Sequence, residues 1–343
     1  MKILFVFLLC LCLAAPAAAQ KRKNKKQDEE PKPQVLAVLP DLPEAITVET
    51  ARLTFSVSPL SDKGLLSQQV RDGLKAIISA SRGGTIVKLR AFVAGSGDLR
   101  RVKEIVADEF TDRKLALPVV STIQAGALPM VGAQVVIEST VTDRKAVNQN
   151  GLALFSGAAQ RDAASAIAQL RHAASVAGVK EMLRVTCFLS SLNEVSAARS
   201  GLAAAFPGAA LNLIQPQRLG LESQTACEGV GRLSSAPSQP VDVTKDAALI
   251  NTTKLILTET RLIFRDQDSD FQLALQRLSK TLAAQQVGML DVVWLGAYSL
   301  TRQNAARVET TFSKGNAAGT SLLFEGLPST DATAAVEVIA ARN

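Results

Sequence analysis

The sequence is poor in the residues on which most enzyme chemistry and nucleic-acid recognition depend. Its 343 residues include one histidine, one tryptophan and one tyrosine, and aromatics make up 4%. A Ser/His/Asp triad would have to use His172, which falls on the solvent side of an amphipathic helix pattern. Scarce aromatics leave no stacking platform for single-stranded nucleic acid. The net charge of +7 is spread over cations scattered along predicted helices, so no nucleic-acid partner is expected. No zinc-ligand spacing and no Walker loop occur, and GSGD at 95–98 has Arg100 where a dinucleotide loop needs its third glycine. DQDSD at 266–270 spaces Asp266, Asp268 and Asp270 like half of a calcium loop. Phe271 replaces the turn glycine and Arg277 the closing glutamate, so a helix N-terminus is the better account. Neither a metal nor a cofactor is expected.

Cysteine is equally scarce, and two of the four lie in the one long apolar run. Residues 3–15, after Lys2, are apolar and lead to Pro16 and a run of small residues, the pattern of a signal peptide cleaved after Ala19. As a helix the run spans about 20 Å, short of the ~30 Å hydrocarbon core, so no membrane segment is expected after cleavage. Leu precedes both Cys10 and Cys12, against a lipoprotein. Residues 20–45 open with QKRKNKKQDEEPKPQ and read as a solvated, disordered leader. The expected location is therefore outside the cytoplasm, periplasmic or secreted. Export leaves Cys187 and Cys227, which an oxidising compartment would permit to pair; two buried thiols are the other reading.

What the sequence does have is a repeat. Residues 162–206 read as helix, strand, helix. Ala163, Ile167, Leu170, Ala174 and Ala177 form one helix face; Gly178 stops it; Val185, Cys187 and Leu189 share a strand face. Asn193 is expected to cap a second helix bearing Val195, Ala198, Leu202 and Phe206. A constant offset superimposes residues 66–110 without a gap, with Leu74 on Leu170, Leu89 on Val185, Phe92 on Phe188 and Phe110 on Phe206. A third copy lies at 270–312, where Tyr298 takes the Phe position and Phe312 closes the second helix. Flanking strands give domains at 46–142, 150–233 and 251–343, joined by the linkers DRKAVNQN and SSAPSQPVDVTKD. Each copy reads β-α-β-α-β-β, an α/β (α+β) unit with two helices on one face of a mixed sheet. The other face still needs a cover.

LALFSGA at 152–158, MLRVTCFLSSLNEVSAARSGLAAAF at 182–206, STIQAGALP at 121–129, and the strands VVIEST, ACEGVG and VEVIAA together resemble the RidA/YjgF family, also called endoribonuclease L-PSP-like. The resemblance implies three tandem chorismate-mutase-like domains. Family members are generally homotrimers with a central barrel and clefts between subunits, so three copies on one chain imply an intramolecular pseudo-trimer and a monomeric protein. It also implies a reaction: many members hydrolyse enamines and imines such as 2-aminoacrylate to keto acids and ammonia, holding the substrate carboxylate with an arginine and using a glutamate to position or activate water.

The family glutamate recurs as Glu138, Glu228 and Glu337. The family arginine does not: Val120, Leu211 and Gly319 stand at its position in the three copies. Substitute anchors would be Arg113, Lys114 or Arg218. The leading expectation is a degenerate, non-deaminating fold that binds an unidentified small molecule or serves as an interaction scaffold. The alternative is an enamine/imine hydrolase with an unfamiliar carboxylate anchor. Carboxylates left without a cation would repel an anionic substrate.

Overall fold

The computed structural model describes residues 39–95, 97–218, 225–312 and 317–342. The expected signal peptide and most of the leader lie outside them. The chain runs β1 (Ala45–Glu49), β2 (Leu53–Val57), α1 (Leu66–Ala80), β3 (Thr85–Ala94), α2 (Arg100–Asp112), β4 (Val119–Ala125) and β5 (Val135–Thr142). It continues with β6 (Leu152–Phe155), α3 (Ala163–Val176), β7 (Val179–Phe188), α4 (Val195–Ala205), β8 (Ala210–Ile214) and β9 (Ala226–Leu233). The last part is β10 (Val241–Val243), β11 (Ala247–Ile250), β12 (Lys254–Thr258), β13 (Arg261–Phe264), α5 (Asp268–Ala284), β14 (Val292–Ser299), α6 (Arg302–Phe312), β15 (Ala318–Leu323) and β16 (Ala332–Arg342). No described helix is long and apolar enough to cross a membrane.

The fold is mixed α+β, with three separate mixed sheets. Their orders are β2-β5-β3-β4, β10-β11-β6-β9-β7-β8 and β1-β12-β16-β14-β15, with β13 also on β16. In each, the strand between the two helices lies parallel to the strand after the second helix and antiparallel to the last one. That is the pairing a β-α-β crossover imposes. The apolar helix stripes face the sheets: Val70, Leu74 and Ile77 of α1 are buried, and Phe110, Phe206 and Phe312 are 1%, 5% and 4% exposed. Gly178, at φ +66°, follows α3 as a left-handed residue should. The acidic DQDSD run is a helix start, with Gln267 and Asp270 forming a reciprocal capping box on α5. Asn193 does not cap α4; it lies in a short 3-10 turn whose own cap is Ser191.

Three cores lie between a sheet and its own helices. Two more are shared, and these cover the remaining sheet faces. One joins Leu53 and Val87 to Leu152, Leu154, Leu255 and Trp294; the other joins Phe92 and Ile123 to Phe188, Tyr298 and Phe324. In the second, the four aromatic rings meet at centroid distances of 5.3 to 6.0 Å. Beyond the rings, the loops after β4, β8 and β15 hydrogen-bond to one another: Gly126 and Glu325 both donate main-chain N–H to the Pro216 carbonyl, at 2.9 and 3.0 Å.

Two strands depart from the expected boundaries. β1, expected in the first repeat, pairs antiparallel with β12 in the third sheet. The Ser/Pro-rich linker is not irregular throughout: β10 and β11 extend the second sheet beyond β6. Asn148, in the charged linker, is buried and bonds the Leu53 carbonyl at 2.7 Å. Segments leading into a repeat are thus tied to the edge of another repeat's sheet, because edge strands expose unpaired main-chain groups that a neighbouring segment can satisfy. Cys187 and Cys227 face each other across β7 and β9 and form a disulfide, with Cα atoms 4.1 Å apart.

Candidate functional site

Strand register brings the three glutamates into one layer. Glu138 lies opposite Arg90, Glu228 opposite Thr186 and Glu337 opposite Gly296. On the parallel side the same three residues face Ser121, Asn212 and Thr320. With a strand period of two, these side chains point away from the helices, into the space between the shared cores. There the glutamates are 1%, 3% and 2% exposed.

Every carboxylate meets a cation from the protein itself. Arg90, itself buried, donates Nε to Glu138 at 2.9 Å, Nη1 to the Tyr298 hydroxyl at 3.2 Å, and Nη2 to Glu228 in a short contact. Its Nη1 also lies 3.6 Å from Glu337. Lys88 donates Nζ to Glu337 at 2.7 Å and to the Thr258 carbonyl at 2.6 Å. Arg184 lies 3.4 Å from Glu138. Thr186 and Asn212 donate to Glu138, and Ser121 and Tyr298 to Glu337. The result is a neutral ionic waist, three carboxylates against Lys88, Arg90 and Arg184, held between two apolar layers.

Burial alone would push Glu138 up. Arg184 and Arg90, with hydrogen bonds from Asn212 and Thr186, outweigh it and bring the carboxyl down to about 2. Glu337 follows the same course under Lys88, Arg90 and Ser121, and also ends at about 2. Burial pulls the Lys88 ammonium below its usual range against the opposing pull of Glu337. Burial also raises the Tyr298 phenol well above its usual range, reinforced by Glu337, so it donates as a neutral hydroxyl. These carboxylates are ionised and saturated with donors.

One part of the waist is less satisfied. Among the described residues, Glu228 Oε2 and Arg184 Nε are buried without a hydrogen-bond partner. Both residues line a cavity of about 50 Å³ walled by Leu53, Leu152, Leu255 and Trp294. That is room for water rather than for a substrate.

The three positions at which the resemblance leads one to look for an arginine are equivalent in register. Val120, Leu211 and Gly319 each sit one residue before the partner of the central layer, opposite Leu89, Val185 and Leu295. Their surroundings differ. Val120 is buried in the first helix-side core. Leu211 is half-buried and lines a cleft between the first and second sheets. Gly319 donates its main-chain N–H to Ser156 Oγ at 2.9 Å, and a Cβ there would lie 2.1 Å from the Leu295 carbonyl oxygen. At that position any side chain, arginine included, is sterically excluded.

The substitute anchors are elsewhere. Arg113 and Lys114 are exposed beyond α2, and Arg113 pairs with Glu109 at 3.0 Å. Arg218 is a loop staple, donating Nε to the Gly126 carbonyl at 2.7 Å while its main-chain N–H reaches Glu325 at 3.0 Å. The expectation of glutamates without cations fails, because Lys88, Arg90 and Arg184 stand on strands and not on helices. The signal for them was present: charged residues alternate with apolar ones inside VKLRAF and MLRVT, strands whose two faces are both buried.

No protein-family profile matches the sequence, and no curated protein does. Solved structures do. One is a member of the YjgF/YER057c/UK114 family from Mycobacterium tuberculosis, at 17% identity and TM-score 0.24, covering 26% of this chain and 79% of that one. A YjgF-family protein from Neisseria meningitidis matches at 12% identity and TM-score 0.24, covering 31% and 98%. TdcF from E. coli, solved with bound serine, matches at 23% identity and TM-score 0.24, covering 29% and 92%. Each of these structures is similar to a stretch of this chain about one sheet-and-helices unit long.

Proposed function

We propose that this protein is an exported, single-chain pseudo-trimer of three RidA-like repeats that does not deaminate enamines and serves instead as a binding or interaction scaffold. The observation that carries the reading is the ionic waist. In a deaminase of this family type, glutamate must face a substrate whose carboxylate is held by an arginine. Here Arg90, Lys88 and Arg184 already occupy Glu138, Glu228 and Glu337, and all three positions of the family arginine lack a cation. A substrate without its anchor forfeits much of the proximity effect, which can amount to ~7–11 kcal/mol of barrier. The family glutamates have become a clamp that joins three sheets.

The pseudo-trimer is supported by the two shared cores and by the route of β1, the first described strand, which pairs with β12 in the last sheet. Export is supported by the disulfide, which persists in oxidising compartments. The observation favouring the hydrolase alternative is the unpartnered oxygen of Glu228, but the cavity beside it is water-sized.

The test is pyruvate and ammonia release from enzymatically generated 2-aminoacrylate, with Glu228→Gln alongside. No acceleration over buffer is expected from either protein. Turnover by the native chain that Glu228→Gln abolishes would sink the scaffold reading. Light scattering on the mature protein should give one chain per particle; a stable trimer would overturn the single-chain arrangement.

A further inference from the structure

The three seams between sheets are not alike. Between the second and third sheets, Ser156 and Gly157 bond directly to Gly319 and Thr320, and a Cβ on Gly157 would lie 2.8 Å from the Thr320 methyl. Between the third and first, Lys103 is ion-paired with Glu259. The seam between the first and second sheets remains open. Val57, Leu60 and Pro129 on one side and Ala209, Leu211 and Leu213 on the other line a cleft of about 620 Å³. That volume lies within the usual range for small-molecule sites, about 300–1,000 Å³.

The chemistry of this cleft is simple. Its lining contains no acidic residue and one charged residue, Arg199 of α4. Among the described residues nothing pairs with Arg199, which is exposed. The two polar side chains in the lining are already engaged: Asn212 donates to Glu138, and Ser58 Oγ accepts the Ile137 N–H. Outside the cleft the surface stays apolar. Met130, another lining residue, is 39% exposed, and its neighbour Val131 is 96% exposed. Leu65, 78% exposed, belongs to the same margin, because the Gln69 amide bonds the carbonyls of both Gly64 and Gly132. Large exposed apolar side chains grouped at the edge of an apolar cleft mark a binding surface.

We propose that this cleft binds one amphipathic carboxylate, with an alkyl or aromatic tail against the apolar walls and the anionic head on Arg199. The assignment rests on the reading of the chain as a binding protein, and adds to it the ligand class, the anchor and the seam. A guanidinium fork matches a carboxylate with two parallel hydrogen bonds. The walls offer nothing polar to satisfy a small hydrophilic acid, whereas a tail removes the exposed apolar margin from water. Leu211, at a position where the family has its arginine, becomes part of the tail's wall, and the cation comes from the helix instead.

The experiment is calorimetric titration of the mature chain with decanoate, decanol and decyltrimethylammonium, each below its aggregation concentration. Decanoate should saturate at one per chain. Decanol should bind roughly three- to tenfold more weakly and the cation not at all, an exposed guanidinium contributing a modest charge selectivity. Arg199→Gln should bring decanoate down to the level of decanol and leave decanol unchanged. Ala209→Trp, which fills the cleft, should remove binding of both; Leu60→Trp on the opposite wall is the second variant if the first unfolds. Absence of saturable decanoate binding, an unchanged affinity in Arg199→Gln, or capture only of a peptide ending in leucine would each overturn the assignment. If decanoate binds as described while 2-aminoacrylate is turned over, the non-deaminating reading falls and the cleft assignment stands.

Discussion

Arg90→Met isolates what the waist contributes. The substitution keeps the aliphatic stem of the side chain and removes the charged guanidinium, whose carbon lies 5.1 Å from the Phe92 ring centroid. Glu228 then loses its only cation among the described residues, Glu138 keeps Arg184 at 3.4 Å, and Glu337 keeps Lys88 at 2.7 Å. Breaking one side of a buried pair costs about 3–5 kcal/mol. Urea unfolding at pH 7 measures this, and adding Glu228→Gln, which removes the stranded charge, should restore much of the loss. A deficit below about 1 kcal/mol, or no recovery in the double variant, would refute the account of the waist as a charge clamp.

Two further outcomes follow from the same structure. Glu138 and Glu337 sit at about 2, below their unfolded value of 4.5, so the stability they add is fully present above pH 4.5 and is lost as pH falls toward 2. By linkage each accounts for up to about 3 kcal/mol; thermal midpoints should be insensitive to these groups between pH 7 and 5 and fall below 4.5, and a fall of the same size above pH 5 would contradict the assignment. Phe206→Ala should cost about 3–5 kcal/mol in urea unfolding, as for a buried aromatic; a cost below about 1 kcal/mol would mean that the helix face is not the packed one.

The sequence by itself determined the elements and their inner faces. Helix and strand periodicities are local, and so Phe110, Phe206 and Phe312 could be assigned to cores from spacing alone, whereas the three glutamates were singled out by the resemblance of their strands to one family pattern. Tertiary structure decided what those glutamates meet. Arg90 and Glu228 are 138 residues apart, and no periodicity links a cation on one sheet to a carboxylate on another. The same holds for β1, whose residues read as the start of the first repeat until main-chain pairing takes them to the third sheet. Val120, Leu211 and Gly319 share one register yet end as a core residue, a cleft wall and a main-chain donor, because the three seams closed to different degrees. Local pattern fixes which face is apolar; only the packing of sheet against sheet fixes which charge is neutralised and which cleft stays open.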